Sequence, residues 1–437
     1  MIATVVGGGL AGCEAAWALA ERGVDVRLCE MRPATRTAAH ETDRLAELVC
    51  SNTFKSLELT NAHGLLKAEL RLLGSLLLEI ADTVRVPGGA ALAVDRELFA
   101  QAVTDRIGAH PRITVMREEI TTLPSPGIVA TGPLTSERLA RAVTRRLGAG
   151  GLAFYDAIAP IVASESLDHA RLYRASRYGK GGGDDYLNAP LDESAYRALV
   201  AGLRSGEQFQ PHEFDAVPYF EGCLPIEEMA ARGDDVLRFG PLKPVGLPDP
   251  RTGRPPHAVV QLRQEDRDGQ MFNLVGFQTR LRIPEQQRLF RTIPGLADAE
   301  FLRFGSIHRN TYLNTPRVLR PPLAAPDDPE LLFAGQLVGV EGYTESLGTG
   351  LLAGVVLARR LIGAPVGLPP RETMLGALLD YVHSAEAGHF QPMNANFGLL
   401  PPLPDPVRDK RRRRERLAER ALAAMEGYVR AALAEDR

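Results

Sequence analysis

Six residues near the start of the chain, Gly7-Gly8-Gly9-Leu10-Ala11-Gly12, have the types and spacing to hold a pyrophosphate. They follow the apolar run 2–6 and open a helical run at 13–22. A second short strand, 24–29, ends at Glu30. Strand, glycine turn, helix, strand and acidic residue in that order form the dinucleotide-binding fingerprint. Gly7 permits the tight turn, Gly9 lets the backbone approach phosphates, and Gly12 lets the helix lie close to the strand. The helix N-terminus offers unpaired N–H groups and a partial positive charge. Glu30 is placed to accept hydrogen bonds from a ribose diol. The other residues with chemical potential are four cysteines, Cys13, Cys29, Cys50 and Cys223. None lie at CxxC spacing and no His pair sits at a metal-binding interval, so no metal is expected. Cys13 in the first helix and Cys29 in the second strand read as small buried apolar residues. Cys50 and Cys223 lie in polar, loop-like settings, and spacing alone leaves their roles open.

The elements that must position these residues follow from pattern. Residues 45–80 read as helical, with a polar break around 51–64 that begins beside Cys50. Pro87-Gly88-Gly89 is a turn, and Asp95 is placed to cap a helix reaching Ile107. A strand is expected at 113–115. Another at 127–132 ends in Ala130-Thr131-Gly132, and Thr135 or Ser136 caps a helix over 137–147. After Tyr178 the composition turns polar and glycine-rich, and 249–254 reads as a hairpin tip. These signals suggest an inserted domain over 181–282, with 1–180 and 283–437 forming the first domain. The return is marked by the strand 331–335, a glycine loop at 339–342 and a helix of small residues over 346–358. Gly348, Gly350 and Gly354 inside that helix carry an entropic cost. Close approach is the expected compensation, to a flat ring or a phosphate, or else in close helix-to-sheet packing.

The chain has 437 residues, 45% hydrophobic and 24% charged, which suits a soluble globular protein of two or three domains. Its formal net charge of −3 excludes a polycation, so nucleic-acid binding would need a local basic surface. The run 409–416, rich in arginine, is one such surface. No apolar run reaches membrane-spanning length, since 351–357 is cut off by Arg359 and Arg360. The chain enters a strand at once, without a signal-type segment, so a cytoplasmic protein is expected.

The N-terminal fingerprint, Ala130-Thr131-Gly132 and the segment Phe333-Ala334-Gly335-Gln336 before the glycine helix together resemble flavoproteins of the glutathione-reductase type. That resemblance implies an α/β fold. It consists of a Rossmann-like FAD-binding domain, discontinuous in sequence, with an inserted α+β domain, and it favours FAD over NAD as the held ligand. Gln336 departs from the Asp that many such proteins carry. Longer stretches narrow the resemblance: ELVCSNTFKS from Glu47, GPLTSE from Gly132, FEGCLPIEEMA from Phe220, RFGPLKPVGLPDPRTG from Arg238, VVQLRQED from Val259, LVGFQTRL from Leu274, HRNTYLNTP from His308 and VEGYTESLGTGLLAG from Val340. Together they resemble the TrmFO family, folate- and FAD-dependent tRNA (uracil-5-)-methyltransferases, over nearly the whole chain. The related GidA/MnmG flavoproteins are longer, with an additional C-terminal helical domain.

The resemblance implies methylation of C5 of the T-loop uridine at tRNA position 54. 5,10-Methylenetetrahydrofolate is the one-carbon donor, reduced FAD is reductant and methylene carrier, and NAD(P)H is a co-substrate. It implies Cys223 as the thiol that attacks uracil and Cys50 as base or assisting thiol, with the two roles open to exchange. Gly7, Gly8, Gly9, Leu10, Ala11, Gly12, Glu30, Gly132, Gly335, Gly348 and Gly350 are expected at the cofactor. Arg96 is expected at its nucleotide half, or else in a solvent-facing salt bridge. Tyr343 is expected near the isoalloxazine or the pterin, and His308, Arg309 and Asn310 near folate. Lys243, Arg251, Arg254, Arg411 and Arg412 are candidates for contact with the tRNA elbow or T-arm. Two readings compete: an NAD(P)H-dependent FAD oxidoreductase with no nucleic-acid role, and a flavin partner in wobble-uridine modification.

Overall fold

The computed structural model describes residues 1–37, 39–148, 152–209 and 224–433, with side chains at all of these except 152–158, 307–310 and 432–433. The β-branched run Ile2–Val6 is the middle strand of a six-stranded sheet. It pairs in parallel with Asp25–Cys29 on one side and Gly127–Val129 on the other. Ile113–Met116 extends the first side and Asp328–Phe333 the second, both parallel, and Ala324–Ala325 closes one edge antiparallel. Helix Leu10–Ala20 connects the first two strands in the Rossmann manner. In register, Val6 stands level with Cys29 and Val129, and Val129 with Phe333. The turn at Gly7, Glu30, Thr131 and Gly335 therefore all emerge at the C-terminal edge, where open parallel sheets bind ligands.

The late strand Asp328–Phe333 leads into helix Tyr343–Leu361, which lies across Leu10–Ala20. A Cβ on Gly350 would stand 2.7 Å from Ala11 Cα, and one on Gly354 2.6 Å from the Ala15 carbonyl oxygen. Gly348 faces Leu375 and Leu70. At Gly350 and Gly354 the two helices touch backbone to backbone, while Gly348 meets side chains of two further helices. The close approach at these positions is therefore to helices rather than to the sheet.

Tertiary contacts also override the helical pattern at 45–50. Ala46 takes a left-handed φ of 51° and its amide bonds to the Gly8 carbonyl at 2.8 Å, which no helix at that point permits. Helices in this stretch begin only at Ala62–Leu72 and Leu76–Thr83, and Thr53–Ser56 is a strand of a small three-stranded sheet. Asp95 caps Arg96–Gly108 through the amides of Glu97 and Leu98, and Ser136 caps Glu137–Leu147 through Leu139.

A second six-stranded sheet has the order Tyr173–Arg174, Tyr186–Leu191, Ala258–Gln264, Met271–Leu274, Ile161–Ala163, Phe301–Arg303, with antiparallel neighbours. It draws strands from both sides of 181–282. Helices Glu193–Ser205 and Ile283–Phe290 cover it through Leu199, Leu203, Leu289 and Phe290. The chain passes in and out of this unit along a two-stranded ribbon, Leu152–Ile158 with Ser306–Tyr312. No helix among the described residues is long and apolar enough to cross a membrane.

Candidate active site

The glycine turn builds one wall of a cleft of about 530 Å³, open to solvent and shared by Glu30, Arg32, Thr131, Thr135 and Ser136. Gly7 has φ 106°, and a Cβ there would meet the Ala130 carbonyl oxygen at 2.6 Å, so the strand-to-helix turn requires glycine. A Cβ on Gly12 would collide with the Gly7 carbonyl. At Gly9 the direction of a Cβ is open, with nothing within 4 Å. Gly9 is the N-cap of Leu10–Ala20, and no side chain caps that end. The first amides of the helix are therefore capped by no side chain and begin beside the cleft that Gly7, Gly8 and Gly9 line, which fits a bound pyrophosphate. Gly132, with φ 65°, and Gly335, with φ 77°, line the same sheet edge. Gly335 donates to Thr349 Oγ1 at 2.9 Å.

Glu30 is the acceptor of this cleft. Its Oε2 accepts the Gly8 amide at 2.9 Å, and its Oε1 accepts Arg32 Nε at 2.8 Å. Burial raises its proton affinity, but the Arg32 guanidinium and these hydrogen bonds outweigh burial and hold the carboxyl below the usual range. Arg32 is 1% exposed and bonds onward to Glu47 Oε2 at 3.0 Å. Glu47 in turn gathers the amides of Glu41 and Thr42. The segment after the second strand is thus folded against the cleft and carried toward Cys50.

Cys50 is half-buried. Its amide and that of Ser51 both donate to Tyr343 Oη, at 2.9 and 3.1 Å. Tyr343 is the first residue of the glycine helix, and its ring packs on Phe54 at a centroid distance of 5.7 Å. Burial, with Cys50 close by, pushes the Tyr343 phenol up, so it stays a neutral hydroxyl. Arg96 is not among the residues lining the nucleotide cleft. It pairs with Glu265 Oε2 at 2.8 Å and donates to the Leu48 carbonyl. Arg96 thus stands in a salt bridge, but a largely buried one rather than one facing solvent, since Glu265 is 2% exposed.

The other two thiols described are poor nucleophiles. Burial pushes Cys13 far up, and burial with Glu118 pushes Cys29 up to about 11. Cys223 lies outside the described residues, as do the side chains of His308, Arg309 and Asn310. Their backbone forms the ribbon opposite Asp156, Tyr155 and Phe154. In the second unit Arg251 is bound by Asp249 at 2.8 Å, Lys243 is half-buried and Arg254 is exposed. Arg411 and Arg412 are exposed on helix Lys410–Leu433, where Arg411 pairs with Glu415. The described residues contain no cluster of three His, Cys, Asp or Glu fit to hold a metal ion.

Sequence reasoning passed over Asn52 and Glu265, which join the two units behind Cys50. Asn52 is fully buried, accepts from Arg263 at 2.9 Å and donates to the Gln264 carbonyl at 2.9 Å. Both residues stand in the motif stretches named above, which was the available signal.

Comparison with known proteins agrees with this architecture. A family model described as GIDA, glucose inhibited division protein A, matches residues 2–365. The TrmFO methylenetetrahydrofolate–tRNA-(uracil-5-)-methyltransferase of Geobacter sulfurreducens is 57% identical over 428 residues, 98% of each chain. That of Moorella thermoacetica is 55% identical over 420 residues, 96% of each. Among solved structures, two crystal forms of Aquifex aeolicus GidA superpose with TM-scores of 0.71 and 0.70 at 18% and 17% identity. They cover 98% and 99% of this chain and 76% and 75% of theirs. That likeness supports the fold, a Rossmann-like arrangement. On sequence identity over nearly its full length, the chain belongs to the TrmFO family of methylenetetrahydrofolate–tRNA-(uracil-5-)-methyltransferases.

Proposed function

We propose that this protein methylates C5 of uridine 54 in the T-loop of tRNA, with 5,10-methylenetetrahydrofolate as carbon donor and NAD(P)H as the source of electrons. The observation that carries the reading is the Cys50 loop, fixed by Tyr343 at the start of the glycine helix, on a Rossmann-like fold whose sheet edge carries the glycine turn. FAD, once reduced, supplies the electrons that turn a methylene into a methyl group. The uncapped amides at the start of helix Leu10–Ala20 would hold its pyrophosphate, and Glu30 would hold its ribose.

C5 of uracil is a weak nucleophile. A thiolate that adds to C6 forms a C–S bond and shifts electron density to C5 as an enolate, which attacks the one-carbon unit. A second group then takes the C5 proton as the carbon's bond to its carrier nitrogen breaks, which leaves an exocyclic methylene on C5. A hydride equivalent adds to that methylene, the C5–C6 double bond re-forms and the thiolate leaves. Cys223 is assigned the attack and Cys50 the proton. The neutral phenol of Tyr343 keeps the Cys50 backbone in place. Folate is assigned to His308, Arg309 and Asn310, since its anionic tail suits a guanidinium. The exposed Arg254, Arg411 and Arg412 and the half-buried Lys243 are assigned to tRNA phosphates. Arg251 is the weakest of that set, because Asp249 already neutralises it. The target base must leave its stack to reach the thiols. A cytoplasmic location suits a tRNA substrate.

The test uses FAD-loaded protein, unmodified tRNA transcript, methylenetetrahydrofolate and NAD(P)H. Formation of 5-methyluridine is expected from the wild type, and loss of product with an intact flavin spectrum from Cys50→Ala and Cys223→Ala. Product from both variants would remove the thiols from the chemistry.

A further inference from the structure

The peptide units around Cys50 are held from three directions. The Val49 carbonyl accepts from Arg303 Nη2 at 3.0 Å, and the Leu48 carbonyl accepts from Arg96. On the other side, the Cys50 and Ser51 amides both donate to Tyr343 Oη. The peptide unit joining Val49 to Cys50 is therefore bonded at its oxygen and at its nitrogen, which fixes the direction of the Cys50 Cα–Cβ bond. Each holding group is a side chain from elsewhere. Arg96 and Tyr343 begin two helices of the first unit, while Arg303 ends an edge strand of the second.

Arg303 is aimed by a local irregularity. Phe301 pairs with Val162 and Arg303 with Ile161, so two residues advance against one. A bulge of this kind turns a side chain out of the regular alternation. The Arg303 side chain is 15% exposed, with Nε 3.4 Å from Glu41 Oε1. It thus spans from the start of the cleft segment to the residue before the cysteine. Arg96 sits close enough to Cys50 and Tyr343 that both act on its charge.

We infer that Arg303 is a positioning residue for Cys50, acting with Arg96, so that the second unit sets the reactive geometry of a thiol carried by the first. The inference rests on the reading of Cys50 as a catalytic thiol and adds a residue from the far sheet to that site. A guanidinium suits the task because it donates to a carbonyl and a carboxylate at once from one rigid plane.

The experiment compares FAD-loaded wild type with Arg303→Gln and Arg303→Lys. Iodoacetamide is added without tRNA or folate, and mass spectrometry follows the peptides containing Cys50 and Cys223. Arg303→Gln is expected to slow Cys50 alkylation, because the peptide unit that sets the direction of its Cα–Cβ bond loses its anchor at the Val49 carbonyl. Arg303→Lys, which keeps one charged donor, restores much of the rate. The Cys223 rate and the flavin content stay as in wild type. In turnover, Arg303→Gln lowers kcat and leaves the KM for tRNA unchanged. An unchanged or faster Cys50 rate, or equal slowing at Cys50 and Cys223, overturns the inference. Should Arg303→Gln not fold, Arg303→Lys alone decides: a Cys50 rate below wild type with Cys223 unaltered upholds it, and any other pattern overturns it. Failure of the functional reading shows itself differently, as methylation that survives Cys50→Ala whatever the alkylation rates.

Discussion

Tyr343 Oη lies 2.9 Å from the backbone nitrogen of Cys50, a residue 293 positions earlier in the chain. One oxygen answers two neighbouring amides, so Tyr343→Phe leaves both without that acceptor. The expected loss of stability is about 1–3 kcal/mol, measured by urea unfolding. Methylation should fall further than the folded fraction does, because the loop that carries the thiol is released. Full activity in a folded Tyr343→Phe protein would show that the bond does not organise the site.

Gly350 meets the backbone of Ala11 at the first helix, within the glycine turn itself. Gly350→Val forces the two helices apart and with them the amides that face the cleft. A destabilisation of roughly 1–3 kcal/mol is expected from overpacking, read as a lower melting temperature. Flavin bound per protein, from absorbance of the purified variant, should drop as well. A variant with wild-type flavin content would separate helix packing from cofactor binding.

Much of this was legible in local spacing. The turn from Gly7 to Gly12, the cap at Asp95 and the return strand before Gly335 each depend on neighbours in sequence, and each stands where its pattern places it. What was not legible depends on distant partners. Residues 45–50 have a helical pattern, yet Ala46 bonds to Gly8 and the helix is lost. The glycines at 348 and 350 read as ligand contacts, since nothing local says that another helix lies there. Ile161–Ala163 and Phe301–Arg303 are three-residue strands with too little alternation to announce a sheet, and Arg303 therefore passed unnoticed beside Cys50.

Glu69 is fully buried and accepts the amides of Met374 and Leu375 at 2.7 and 2.9 Å, at the start of helix Met374–Ser384. Burial outweighs those bonds and pushes its carboxyl up to about 8. The folded state thus keeps a proton that the unfolded chain releases near the ordinary carboxyl value. Stability from this group is full at acid pH and is lost as pH rises toward 8, by at most about 1.4 kcal/mol per pH unit. Glu69→Gln, which cannot ionise, should flatten that slope. Denaturant titrations between pH 5 and 9 test it, and parallel slopes in the two proteins would contradict the assignment.

Arg412 is exposed near the start of the basic helix Lys410–Leu433, and its neighbours there are mostly arginine. If this run meets tRNA phosphates, Arg412→Glu weakens binding and lowers the slope of log K against log salt by roughly 1. Filter binding at several salt concentrations measures it. An unaltered slope would place the tRNA elsewhere on the surface.

The central claim is that the methyl carbon in tRNA comes from folate. The direct measurement supplies isotope-labelled methylenetetrahydrofolate in one reaction and labelled S-adenosylmethionine in another, each with FAD-loaded protein, NAD(P)H and unmodified tRNA, and locates the label by mass spectrometry. The account predicts label at C5 of uridine 54 from the folate reaction alone. Label from S-adenosylmethionine, or none from folate in a flavin-loaded folded protein, would contradict it.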